Sequence, residues 1–149
     1  MDIVELSQNV YRIIPLIFGG FLAIEGDQIH CYRKNIQEKL LSKSLRKPIR
    51  IKALTQINEF DPATNKCKDG SMLLNYIFGT ECGELYMLLF DLKKLNLQTQ
   101  VLKPTNVYEC NKFMNIEYLG SNLSSCQSLS YLGNGYLYYG SIHGDSYII

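Results

Sequence analysis

Tyr76-Ile77-Phe78-Gly79-Thr80-Glu81-Cys82-Gly83-Glu84-Leu85-Tyr86-Met87-Leu88 is an apolar run, a turn ending in a glycine and an acid, and a second apolar run. That order of residues describes a β-hairpin. Glycine tolerates the positive φ of a tight turn, and an acid beside it can hydrogen-bond nearby backbone N–H groups. The pattern occurs twice more, in Phe21-Leu22-Ala23-Ile24-Glu25-Gly26-Asp27-Gln28-Ile29-His30-Cys31-Tyr32 and in Leu137-Tyr138-Tyr139-Gly140-Ser141-Ile142-His143-Gly144-Asp145-Ser146-Tyr147-Ile148-Ile149. From Gly26 to Gly83 is 57 residues, and from Gly83 to Gly144 is 61. One such turn belongs to any antiparallel protein, whereas three at a near-constant step make a repeat.

The step is too long for a lone hairpin and fits a four-stranded blade with generous loops. Leu85-Tyr86-Met87-Leu88-Leu89-Phe90 supports stacked sheets, because a continuously apolar strand needs cover on both faces and a sheet facing water would alternate. Leu132-Gly133-Asn134-Gly135-Tyr136 adds an Asn-Gly pair of the kind that favours a type I′ turn, joining strands over 127–132 and 136–139. Further strands are expected over 11–14, 49–57, 98–102 and 115–118. Ile36, Leu40, Leu41 and Leu45 recur at helical spacing before Pro48, so a short helix and an irregular strand both fit 36–45. Asp61-Pro62-Ala63-Thr64-Asn65 through Lys68-Asp69-Gly70 reads as a surface turn region.

The fold class that follows is all-β: a partial, WD-repeat-like β-propeller of about two and a half four-stranded blades. Propellers close with roughly four to eight blades, since an open arc leaves apolar faces and strand edges bare. Three hairpins do not close a ring, and Tyr147-Ile148-Ile149 ends inside an apolar strand. Residues 1–149 are therefore expected to be a fragment of one propeller domain, cut at the C-terminus and at the N-terminus as well.

The 149 residues are 46% apolar and 19% charged, ordinary for a globular chain, and the net charge of +1 gives no global pull toward nucleic acid or anionic membrane. Ile13 to Ile24 is broken by Gly19 and Gly20, and Leu85 to Phe90 falls far short of the roughly 18 residues of a membrane span. Asp2 and Glu5 stand where a signal peptide carries positive charge. The expected setting is the nucleus, and also the cytoplasm. The five cysteines, Cys31, Cys67, Cys82, Cys110 and Cys126, are scattered with no C-x-x-C pair, and only His30 and His143 join them. They read as reduced, mostly packed thiols, with no metal and no cofactor implied.

Gly83-Glu84-Leu85-Tyr86-Met87-Leu88-Leu89, Leu129-Ser130-Tyr131-Leu132-Gly133-Asn134-Gly135 and Gly140-Ser141-Ile142-His143-Gly144-Asp145-Ser146 resemble successive segments of the first propeller in the family of the damaged-DNA-binding large subunit. Phe18-Gly19-Gly20, Ile24, Gly26 and the Asp61-Pro62 turn fall in the same order as in that family. Large subunits of pre-mRNA cleavage and polyadenylation and of the splicing factor 3b complex share its architecture. The resemblance implies a seven-bladed ring, one of three in a long protein, and a non-enzymatic adaptor of cullin-4 ubiquitin ligases in the DNA damage response. Its partners would be substrate-receptor proteins and the remaining propellers of the same full-length protein. The family's receptor-facing surface matches Tyr131 and Asn134 and the following turn at Ile142 and His143. Gly133 stands where the family carries an acid, and Ile142 and His143 stand where it carries a basic and an apolar residue. Read from the residues alone, Tyr131 is equally a packed strand-end aromatic and Asn134 a turn former.

A second reading is an RNA-processing or splicing scaffold that touches nucleic acid. Arg33, Lys34, Lys39, Lys43, Arg46, Lys47, Arg50 and Lys52 face one acid, Glu38, with Arg46, Lys47, Arg50 and Lys52 as the candidate phosphate contacts. Only Tyr32 offers an aromatic for base stacking there, so a solvated charged loop accounts for the run as well. Catalysis has little support: Cys126 and His143 lack an orienting third group, and Phe18-Gly19-Gly20 lacks the Lys of a phosphate loop. Asn122-Leu123-Ser124 matches a glycosylation sequon that matters only on the secretory route.

Overall fold

In a computed structural model, residues 6, 8, 10–15, 20–25, 28–32, 41–44, 50–61, 63–64, 66–93, 114–121 and 123–149 are described. Strands β1 (Val10–Pro15), β2 (Phe21–Glu25), β3 (Gln28–Tyr32) and β4 (Leu41–Ser44) form an antiparallel sheet in that order. The second sheet starts with β5 (Ile51–Gln56). A two-residue ladder of β6 (Phe60–Asp61) and β7 (Lys66–Cys67) is inserted before β8 (Leu73–Thr80), β9 (Leu85–Asp91) and β10 (Met114–Gly120) complete the sheet. The third has three strands, β11 (Cys126–Gly133), β12 (Tyr136–Ser141) and β13 (Tyr147–Ile148). Each sheet is a meander, and the three repeated hairpins are the second and third strands of each: β2–β3, β8–β9 and β12–β13. The repeat read from glycine spacing is thus a repeat of blades.

The continuously apolar strand is covered as its composition requires. No residue of β9 is exposed. Tyr86, Leu88 and Phe90 join Leu74, Tyr76 and Phe78 in a core shared with Ile14, Leu22, Ile24 and Ile29 of the first sheet. Leu85, with Ala53 and Ile77, faces the other way into a core shared with Cys126, Leu137 and Tyr139 of the third sheet. Two cores thus flank one sheet, and burying each large side chain contributes roughly 1.5–3 kcal/mol. Register keeps the faces pure, since a slip of one residue in the Phe78↔Tyr86 or Tyr118↔Tyr86 pairing would exchange them.

For 41–44 the strand alternative is the one found: Leu41 pairs with Cys31 and Ser44 with Gln28. Helical spacing there gives way to backbone pairing with β3. Residues 36–40 and 45 and the strand expected at 98–102 lie outside the described residues. The turn region at 61–70 holds more order than expected. The Asp61 carboxylate accepts from the Ala63 N–H (2.9 Å) and the Thr64 hydroxyl (3.1 Å), closing the β6–β7 ladder. Among the described cysteines Cys67 and Cys126 are buried free thiols, and burial raises both above the ordinary thiol pKa, whereas Cys82 is exposed.

The turn glycines show why the pattern recurs. Gly83 has φ of 75° and so needs the left-handed region, but Gly144 does not. What they share is the connection from β10 to β11. A Cβ on Gly83 would fall on the Leu123 carbonyl, and one on Gly144 would stand 2.6 Å from Ser124 Oγ. For Gly144 the expectation of positive φ is therefore replaced by close approach. At the first turn, Gly26 and Asp27 lie outside the described residues. At the second turn the Glu84 carboxylate accepts the Tyr86 hydroxyl at 2.6 Å, and Thr80 Oγ1 accepts the Glu84 N–H at 3.1 Å.

Candidate protein-interaction surface

Covered faces leave the strand ends and turns as the chemistry a blade stack offers. The β11–β12 turn is rigid by construction: Asn134 (φ 52°) and Gly135 (φ 86°) both take positive φ, as the Asn-Gly pair predicts. Tyr131, half-buried, is committed to structure at both ends. Its hydroxyl accepts from the Gly135 N–H at 3.1 Å, and its own N–H donates to Thr55 Oγ1 at 3.1 Å on the neighbouring sheet. Asn134 is exposed at the tip.

Ile142 and His143 are exposed in the β12–β13 turn. That turn lies at the other end of β12, a strand of six residues or about 20 Å. The four candidate partner contacts therefore form two pairs on opposite ends of the blade, Tyr131 with Asn134 and Ile142 with His143. A single short contact does not span both.

Among the basic candidates, Arg50 and Lys52 are exposed near the start of β5. The Arg50 carbonyl accepts from the Glu81 N–H at 3.0 Å, and the Lys52 carbonyl from the Arg12 guanidinium at 2.6 Å. Arg12 is a cation the sequence reading passed over, brought in from β1 across forty positions of sequence. Arg46 and Lys47 lie outside the described residues. Among the described residues no cluster of His, Cys, Asp or Glu is placed to hold a metal ion.

Sequence reasoning also missed an apolar face. Tyr136, Tyr138 and Ile148 are exposed on the side of the third sheet away from its neighbour, with Tyr138 and Ile148 cross-strand partners. Beside it, Leu85, Leu119, Leu123, Leu137 and Ile149 line an apolar groove between the second and third sheets. The period-two spacing of Tyr136 and Tyr138 carried this signal.

Meander sheets stacked face to face about two cores define a β-propeller scaffold. The chain belongs to the RSE1/DDB1/CPSF1 first beta-propeller family, whose model matches residues 2–149. Comparison with curated proteins yields no match.

Proposed function

We propose that the chain is part of the receptor-binding propeller of a cullin-RING ubiquitin ligase adaptor in the DNA damage response, without catalysis of its own. It would act in the nucleus and also in the cytoplasm, and the blades and propellers that complete the scaffold would belong to the same full-length protein. The observation that supports this reading is the pair of turns of the third sheet that stand clear of the two cores, a rigid, braced one at Asn134 and an exposed one at Ile142–His143. Substrate-receptor proteins are the partners in this reading.

The RNA-processing reading draws on the exposed Arg50 and Lys52 near Arg12. The two are separated by offering the chain a receptor-type helical peptide and, separately, RNA across a salt titration. The adaptor reading expects peptide capture that drops at least tenfold in Asn134→Arg or Ile142→Glu, with circular dichroism unchanged. RNA retention that weakens steeply with salt, with no peptide capture, would transfer the function to the RNA-processing branch.

A further inference from the structure

We draw no further inference here: the strongest candidate, the apolar groove between β10 and β13 with the exposed Tyr136–Tyr138–Ile148 face of the third sheet beside it, is where a fourth strand and a following blade sit in any propeller, so it restates the family's fold, and nothing in the structure shows another occupant.

Discussion

The two seams that flank the middle sheet are built on different principles. Between the first and second sheets the packing is large and almost wholly apolar, with cross-strand aromatics at its centre. Phe78 and Tyr86 stack at 5.1 Å and Tyr76 meets Phe90 edge-on at 6.1 Å, while the exposed Tyr118 meets Tyr86 edge-on at 5.6 Å from the rim of the core. Between the second and third sheets the core is smaller and held by fit and direction. Gly79 makes room for the Cys126 side chain, Tyr139 donates its hydroxyl to the Ser124 carbonyl, and Thr55 accepts the Tyr131 N–H. The first seam rests on volume and the second on shape and hydrogen bonds. They should therefore fail under different insults.

The largest effect is expected from removing volume at the first seam. Phe78 is fully buried, and Phe78→Ala should cost about 3–5 kcal/mol, read as a lowered denaturant midpoint. A loss under about 1 kcal/mol would mean that the seam does not bear the stability assigned to it.

Alkali should come next. Burial pushes the Tyr76 hydroxyl in the first seam up to about 12, and it raises Tyr139 and Cys126 in the second. These groups hold their protons more tightly folded than unfolded. Their contribution is intact below the ordinary values and is lost as pH climbs through the folded ones. For Tyr76 the loss runs from about pH 10 to about pH 12 and amounts to roughly 2–3 kcal/mol. Tyr76→Phe should flatten that part of the profile and leave the part due to the second seam. An unchanged profile would show that the first seam does not titrate.

At the second seam, adding one methyl group should matter more than its size suggests. A Cβ on Gly79 would stand 2.9 Å from Cys126 Cβ and closer still to its sulfur, so Gly79→Ala should cost about 1–3 kcal/mol. Combining it with Cys126→Ala should recover part of the loss, because the nearest atom is gone. Additive losses in the pair would mean that the two residues do not meet.

The contrast between seams also explains what could be read from the chain beforehand. Leu85 to Phe90 declared two covered faces because apolar content without alternation has one physical meaning in a strand, and the Asn134-Gly135 turn followed from backbone sterics alone. The strand at Leu41–Ser44 stayed ambiguous because local spacing says nothing of pairing with β3. Asn58 was illegible for the same reason. Its side chain bonds the Leu73 carbonyl and the Asn75 N–H, fifteen and seventeen residues away. The candidate contacts Tyr131, Asn134, Ile142 and His143 were grouped by resemblance, whereas hairpin direction divides them. Thr55 meets Tyr131 across seventy-six positions, which no spacing rule reaches.

That long-range bond gives the smallest effect and the finest test. Thr55→Val keeps the shape of the side chain and removes the acceptor for the Tyr131 N–H, so the expected cost is about 0.5–1.5 kcal/mol. Tyr131→Phe removes a different bond, the hydroxyl that accepts from the Gly135 N–H, at a similar cost. Native-state hydrogen exchange separates the two, because each substitution frees one named amide. Thr55→Val should speed exchange at Tyr131 and leave Gly135 unchanged, and Tyr131→Phe should do the reverse. If both amides speed up together in either variant, the seam bond and the turn brace open as one unit. The Asn134 turn would then depend on its neighbouring blade for its shape, and the rigidity assigned to it as a contact surface would belong to the seam.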